Sequence, residues 1–249
     1  MDLRNNNFEI EWTDSKVNRL WNYYSNYLPQ NQYFSFHSGK YVLKVLMKKI
    51  EMEQKTILDY GCGPGYLIEQ LLNNTRKNII YGLDFSIESV RIVEDKFKGH
   101  SNFGGAYVVD GLSADINIES IDVITCIEVI EHLNNDQLKT TLELIHKLLK
   151  RGGTLAITVP HQENLEINKT ICPECGCIFH RWQHIRSWTP RDIEDWLKLT
   201  GFTPTLIQPT HFQSSKAELI EQIRLIYKLL TRQKYERAYP HLLVVSEKR

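Results

Sequence analysis

The chain has 249 residues, of which 42% are hydrophobic and 24% are charged, and this composition is that of an ordinary globular protein. Its 30 basic and 30 acidic residues cancel, so the chain has no general attraction for nucleic acid or anionic membranes. No apolar run is long enough to span a bilayer, and the amino-terminal residues lack the apolar stretch of a secretion signal. We therefore expect a cytoplasmic protein with no membrane span and no nucleic-acid partner. The oligomeric state is not predicted.

The first fifty residues predict two helices. Val17, Leu20 and Trp21 lie at helical spacing, and the same spacing returns after a break in the chain. We expect residues 1–50 to form a helical amino-terminal cap, followed by one α/β domain over residues 51–249.

From residue 55 onward, short apolar runs alternate with amphipathic segments. The apolar runs predict strands at residues 55–61, 78–84, 106–110, 121–130, 154–160, 203–209 and 241–247. The amphipathic segments predict helices at residues 66–72, 86–97, 134–150 and 217–230. This alternation predicts an α/β fold with a doubly wound parallel sheet.

A glycine-rich turn follows the first of these strands. Residues 57–67 read ILDYGCGPGYL, with glycines at positions 61, 63 and 65 and an acid, Asp59, two residues before the first glycine. Residues without a Cβ let a ligand approach the backbone where a strand turns into a helix. The spacing D-x-G-x-G-x-G differs from the G-x-G-x-x-G pattern of nicotinamide dinucleotide sites, because position 66 is tyrosine.

DYGCGPG and the acids that follow it resemble the motifs of class I S-adenosylmethionine-dependent methyltransferases. The resemblance implies a Rossmann-like, seven-stranded sheet with an antiparallel last strand, and S-adenosylmethionine as the cofactor. It also implies roles for Asp84 at the ribose hydroxyls, Asp110 at the adenine and Glu128 beside the methyl donor. The cofactor-binding residues implied in this way are Asp59, Gly61, Cys62, Gly63, Gly65, Asp84, Phe85, Asp110, Gly111 and Glu128.

The motif EVIEHL, residues 128–133, allows two interpretations. In the first, Glu131 and His132 open the next helix, and His132 acts as a general base, with His161 as the second choice. In the second, the motif resembles the small-RNA 3′-terminal ribose 2′-O-methyltransferases. That resemblance implies a divalent metal held by both glutamates, the histidine and a later histidine, here His184.

The segment CPECGCIFHRWQH, residues 172–184, predicts a zinc site. Zinc prefers four sulfur or nitrogen ligands, and the spacing offers Cys172, Cys175, His180 and His184, with Cys177 as a substitute ligand. A redox pair or ordinary thiols are the alternatives. We expect residues 161–188 to form an insertion at the rim of the active site, called the rim insertion below. His184 cannot serve both this zinc site and the metal site of the EVIEHL motif.

The segment also resembles bacterial methyltransferases that carry CPxCGxxFHxxxH and are linked to surface-polysaccharide genes. The first functional hypothesis is therefore methylation of an O or N atom of a small molecule or sugar. The second is metal-dependent 2′-O-methylation of the 3′-terminal ribose of RNA. A third, of another class, is a non-catalytic S-adenosylmethionine-binding protein.

Overall fold

The computed structural model describes residues 8–75, 77–109, 117, 119–213 and 240–249. The helix predicted at residues 217–230 and the predicted cofactor ligands Asp110 and Gly111 lie outside the described residues.

Six α-helices and ten strands make up the described part of the chain. The helices are α1 (Asp14–Tyr27), α2 (Phe34–Leu46), α3 (Tyr66–Asn74), α4 (Ile87–Phe97), α5 (Asn135–Leu148) and α6 (Pro190–Leu199). The strands are β1 (Phe8–Glu9), β2 (Thr56–Tyr60), β3 (Ile79–Asp84), β4 (Phe103–Val108), β5 (Ile121–Ile127), β6 (Leu149–Pro160), β7 (Lys169–Ile171), β8 (Cys177–His180), β9 (Phe202–Thr210) and β10 (His241–Lys248). Among the described helices, none combines the length and apolar character needed to cross a membrane.

Seven strands form one sheet in the order β4-β3-β2-β5-β6-β10-β9. Strands β2 to β6 pair in parallel, whereas β10 runs antiparallel to both β6 and β9. The expected doubly wound, seven-stranded sheet with an antiparallel last strand is therefore confirmed. The strand order reverses between β2 and β5, and sheets of this kind bind ligands at the carboxyl ends of the strands beside such a point.

Helices cover both faces of the sheet. The central strand β5 is mostly apolar because its side chains enter two cores: Ile124 and Cys126 pack with α5 and α6, and Val123 and Ile127 pack with α2 and α3. A strand buried on both faces is expected to be continuously hydrophobic.

A second, three-stranded sheet lies in the rim insertion, in the order β1-β8-β7. Strands β7 and β8 form an antiparallel hairpin, and the short amino-terminal strand β1 pairs in parallel with β8. Helix α1 also contacts this region, since the Tyr24 hydroxyl donates a hydrogen bond to the Arg181 carbonyl at 2.6 Å. The amino-terminal segment and the rim insertion are thus joined by backbone and side-chain contacts.

Candidate active site

The glycine-rich turn connects β2 to α3 at the carboxyl edge of the sheet. A Cβ on Gly61 would lie 2.4 Å from a methyl group of Val129, so the turn packs too closely there for any side chain. Gly63 also has a left-handed backbone, with φ of 49°, but a Cβ on it would meet nothing within 4 Å. The backbone at Gly63 therefore faces open space, as a ligand-binding turn requires.

Asp84, at the end of β3, is tied to this turn. One carboxylate oxygen accepts a hydrogen bond from the Gly63 amide and the other from the Ser86 amide, both at 2.8 Å. Burial raises the pKa of Asp84 to about 6, although these hydrogen bonds oppose the shift. Each oxygen keeps a further lone pair, so the predicted contact with ribose hydroxyls is compatible with this geometry and stays a prediction.

Asp59 lies beneath the turn and is buried. Its carboxylate accepts a hydrogen bond from the Thr125 hydroxyl at 2.8 Å, and burial raises its pKa to about 7. Cys62 is buried as well, and burial raises the pKa of its thiol well above the usual value, so it is not a reactive thiol. Phe85 remains 39% exposed beside them.

Glu131 and His132 do not open a helix, contrary to the first interpretation. They lie in a single 3₁₀ turn over Ile130–His132, directly after β5. Helix α5 begins only at Asn135, where Asn134 and Gln137 form a capping box that satisfies its first amide groups. The pair is therefore held by a separate turn at the carboxyl edge of the sheet.

Glu131, His132 and His184 form a compact group that we call the Glu/His cluster. One ligand atom from each residue lies within 4.8 Å of the others. Glu131 is completely buried, and neither carboxylate oxygen has a hydrogen-bond partner among the described residues. A buried carboxylate in this state is strongly unfavourable unless a cation or proton compensates for it. The cluster therefore fits a bound metal ion.

The protonation states agree with a cation site. Burial, and next the neighbouring His184, lower the pKa of His132 to about 3, so its imidazole is neutral, which is the form that binds metals. Burial and the charge of Glu128 raise the pKa of Glu131 well above its ordinary value. A divalent cation would reverse that preference and hold Glu131 as a carboxylate.

Glu128 lies beside the Glu/His cluster without joining it. Its backbone is left-handed, with φ of 53°, and its amide donates to the Thr158 carbonyl at 2.9 Å. Its carboxylate lies 3.2 Å from Nδ1 of His241 on β10. Of the four metal ligands that the ribose-methyltransferase resemblance implies, Glu131, His132 and His184 are thus grouped, and Glu128 lies beside them.

Glu163 orients the histidine that comes from the rim insertion. Its carboxylate lies 2.5 Å from Nδ1 of His184 and 3.5 Å from Nε2 of His180. With Nδ1 engaged in this way, His184 has Nε2 available for a metal. The imidazole rings of His180 and His184 stack at 4.6 Å, and the His184 amide donates to Nδ1 of His180 at 3.1 Å.

The predicted zinc ligands are not brought together, which corrects the prediction. Cys172 and Cys175 group with Cys177, whereas His180 and His184 group with Glu163. His180 and His184 are four residues apart, and in a helix this spacing would place both on one face. Residues Cys177–His180 instead form strand β8, which carries the histidines away from the cysteines.

Gln183 connects the amino-terminal helix to the Glu/His cluster. Its side chain is buried, accepts a hydrogen bond from Nε1 of Trp21 at 3.0 Å and donates one to the His132 carbonyl at 2.8 Å. The Trp21 ring lies 5.0 Å from the His132 ring. Neither Gln183 nor Glu163 was predicted in these roles, because an isolated glutamine or loop acid has no spacing that marks it.

His161, the second candidate base, lies outside the Glu/His cluster. It forms a short parallel bridge with Trp188, and its amide donates to the Pro240 carbonyl at 2.8 Å. Its catalytic role stays a prediction.

The reversed last strand β10, the left-handed glycine turn and the carboxylates near the carboxyl ends of β2 and β3 define a class I S-adenosylmethionine-dependent methyltransferase. The chain belongs to the methyltransferase-domain family, whose model matches residues 14–207.

Curated relatives act on different acceptors. The chain is 28% identical over 172 residues to a small RNA 2′-O-methyltransferase from Arabidopsis thaliana, a match that covers 61% of this chain and 18% of that protein. It is 30% identical over 154 residues to a mitochondrial ubiquinone biosynthesis O-methyltransferase from Rattus norvegicus, covering 58% of this chain and 40% of that one. The chain thus spans less than half the length of these two relatives.

Solved structures share the fold. A methyltransferase in complex with the Haloferax volcanii Trm112 methyltransferase activator superposes with a TM-score of 0.62 at 18% identity, covering 91% of this chain and 96% of that chain. An S-adenosylmethionine-dependent methyltransferase from Clostridium acetobutylicum gives a TM-score of 0.59 at 15% identity, covering 94% and 98%. At these identities the likeness shows the fold alone.

Proposed function

We propose that this methyltransferase acts on a hydroxyl oxygen of an acceptor that carries two adjacent hydroxyl groups, with a divalent cation in the Glu/His cluster. The observation that carries the proposal is Glu131, a fully buried carboxylate with no hydrogen-bond partner among the described residues, beside two imidazoles. A mixed set of imidazoles and carboxylates suits several divalent metals, including Mn²⁺, and the addition of Glu128 and water would supply the oxygen ligands that Mg²⁺ prefers.

The chain's own residues bind and orient the reactants. Glu131, His132 and His184 would hold the cation, with Glu128 as a fourth ligand after release from His241. When bound, such a cation acidifies a coordinated hydroxyl group. Glu163 fixes the ring of His184, and Gln183 fixes the backbone of His132. In this arrangement His132 is a metal ligand, and its proposed role as general base is withdrawn.

The first candidate acceptor is the 3′-terminal ribose of RNA, whose 2′ and 3′ hydroxyls are adjacent. The Arabidopsis relative, a small RNA 2′-O-methyltransferase, supports this choice. The surface beside the cluster supports it too, because the Arg181 guanidinium lies 4.6 Å from the Trp182 ring and the Tyr24 ring lies 6.1 Å from it. Aromatic and guanidinium planes of this kind stack with unpaired bases. The expectation that nucleic acid is not a partner is therefore not maintained.

The second candidate acceptor is a small molecule or sugar with two adjacent hydroxyls. The zero net charge favours it over extended RNA, and the ubiquinone biosynthesis O-methyltransferases among the relatives support it. Both candidates need the same cation site, so the acceptor must be decided by assay.

Radiolabelled S-adenosylmethionine, Mg²⁺ or Mn²⁺ and paired acceptors test the proposal. We expect methylation of an oligoribonucleotide with a free 3′-terminal diol, or of a catechol or monosaccharide, and none of a matched acceptor that lacks one of the two hydroxyls. A 2′-O-methylated RNA end would also resist periodate oxidation. Methyl transfer that is unaffected by a chelator, or equal on monohydroxy acceptors, would overturn the proposal.

A further inference from the structure

Three cysteines form a second ligand group at the tip of the β7–β8 hairpin, separate from the Glu/His cluster. The sulfur atoms of Cys172, Cys175 and Cys177 lie within 4.8 Å of one another, and we call them the cysteine cluster. Cys175 is exposed, Cys172 is half-buried and Cys177 is buried. The group contains no histidine, and the function proposed above does not use it.

The backbone of the hairpin turn holds these sulfurs together. The Cys172 amide donates to the Cys177 carbonyl, and the Gly176 amide donates to the Cys172 carbonyl, both at 2.9 Å. Gly176 has a left-handed backbone, with φ of 74°, which lets the chain reverse between Cys175 and Cys177. Two hydrogen bonds and one glycine therefore set the positions of all three thiols.

The spacing of the sulfurs fits a tetrahedral metal ion. Zinc–sulfur bonds of about 2.3 Å place two sulfur ligands about 3.8 Å apart in a tetrahedron. The sulfurs of the cysteine cluster lie no more than 4.8 Å apart, which exceeds that separation by at most about 1 Å. A disulfide would join two of these cysteines and leave the third unpaired, and it would not explain why three converge.

We propose that the cysteine cluster binds one Zn²⁺ through three thiolates, with the fourth position taken by an exchangeable ligand such as water. Binding releases the thiol protons to solvent. Thiolates favour soft ions such as Zn²⁺, whereas the Glu/His cluster offers only oxygen and nitrogen. The chain would thus hold two metals of different kinds in two separate places.

The position of the site indicates a structural role. Strands β7 and β8 have only three and four residues, and such short hairpins are marginally stable by themselves. Strand β8 leads directly from Cys177 to His180 and on to His184. A zinc ion at the tip would stabilise the hairpin that supplies one ligand of the Glu/His cluster.

Metal analysis of the full chain, purified under reducing conditions, tests this site. We expect about one zinc per chain in the wild type and in Glu131→Gln, the control for the Glu/His cluster. Cys175→Ser should weaken zinc binding at least tenfold, and because Cys175 is exposed its replacement leaves no core cavity. Glu174→Gln, in the same exposed turn, is the matched control and should keep its zinc. Cobalt in place of zinc should give a thiolate-to-metal charge-transfer band, and Cys175→Ser should weaken this band because one of three thiolates is lost.

Three results would overturn the proposal. The first is a wild type that binds no zinc even when zinc is supplied, and the second is loss of zinc in Glu131→Gln with retention of zinc in Cys175→Ser. The third is a disulfide within the cysteine cluster, detected by mass spectrometry in protein made in cells that keep thiols reduced. That result would assign the cysteine cluster to redox chemistry instead. The zinc content of the Glu131→Gln variant does not depend on methyl transfer. A failure of the zinc proposal is therefore distinguishable from a failure of the proposed function.

Discussion

The glycine-rich turn and the Glu/His cluster lie at the same edge of the sheet but are built in different ways. The turn comes from consecutive residues between β2 and α3, and its geometry follows from glycines and from one hydrogen bond to Asp84. The Glu/His cluster needs residues from the turn after β5 and from the rim insertion, with Glu163 and Gln183 holding them. The glycine-rich turn is therefore determined by local sequence, whereas the Glu/His cluster exists only after the chain has folded.

The largest effect is expected for Glu131→Gln. The change removes the negative charge of the proposed metal ligand but keeps the shape of the side chain. The rate of methyl transfer should therefore fall by more than about 100-fold, which is more than the loss of a residue that only orients a metal ligand causes. Without metal, the free energy of unfolding should stay the same or rise, because glutamine is neutral without the proton uptake that the buried acid requires. Enzyme assays and denaturant unfolding measure the two effects. A variant with full activity would show that the cluster is not the reaction site.

The next effect concerns the residue that orients His184. Glu163→Gln should weaken metal affinity by about 10- to 100-fold, as is usual for the partner of a metal-binding histidine. Binding of S-adenosylmethionine should not change, because the glycine-rich turn is built separately. Calorimetric titration of metal and cofactor measures both. Glu166→Gln, an exposed loop acid nearby, is the control, and equal effects in the two variants would contradict the assignment.

Two glycines of the turn should respond differently to alanine. Gly61→Ala places a methyl group 2.4 Å from Val129 and should lower both stability and cofactor affinity, the latter about tenfold. Gly63→Ala has no such clash, so its stability loss should be limited to about 1–2 kcal/mol of left-handed strain. Val129→Ala should partly rescue Gly61→Ala and should not help Gly63→Ala. Thermal unfolding with and without cofactor checks this.

The last prediction concerns a pH dependence of stability in the cofactor-free protein. The pKa of Asp59 is raised to about 7, so its protonated form stabilises the fold below pH 4, and this contribution is lost as pH rises towards 7. Asp59→Asn keeps an oxygen for the Thr125 hydroxyl and lacks the ionisation. The stability of the wild type relative to Asp59→Asn should therefore fall between pH 4 and pH 7. A constant difference across this range would show that Asp59 is not perturbed.

The sequence by itself determined the sheet and the cofactor turn. Strands such as Ile121–Ile127 are mostly apolar, and glycines at fixed positions are required by backbone geometry, so both are visible in local patterns. Only the tertiary structure decided which of the acids, histidines and cysteines lie close together. A 3₁₀ turn over Ile130–His132 places Glu131 and His132 near His184, and strand β8 separates the histidines from the cysteines. These choices depend on contacts between residues far apart in the chain, such as Glu163 with His184 and Trp21 with Gln183, which no local spacing records.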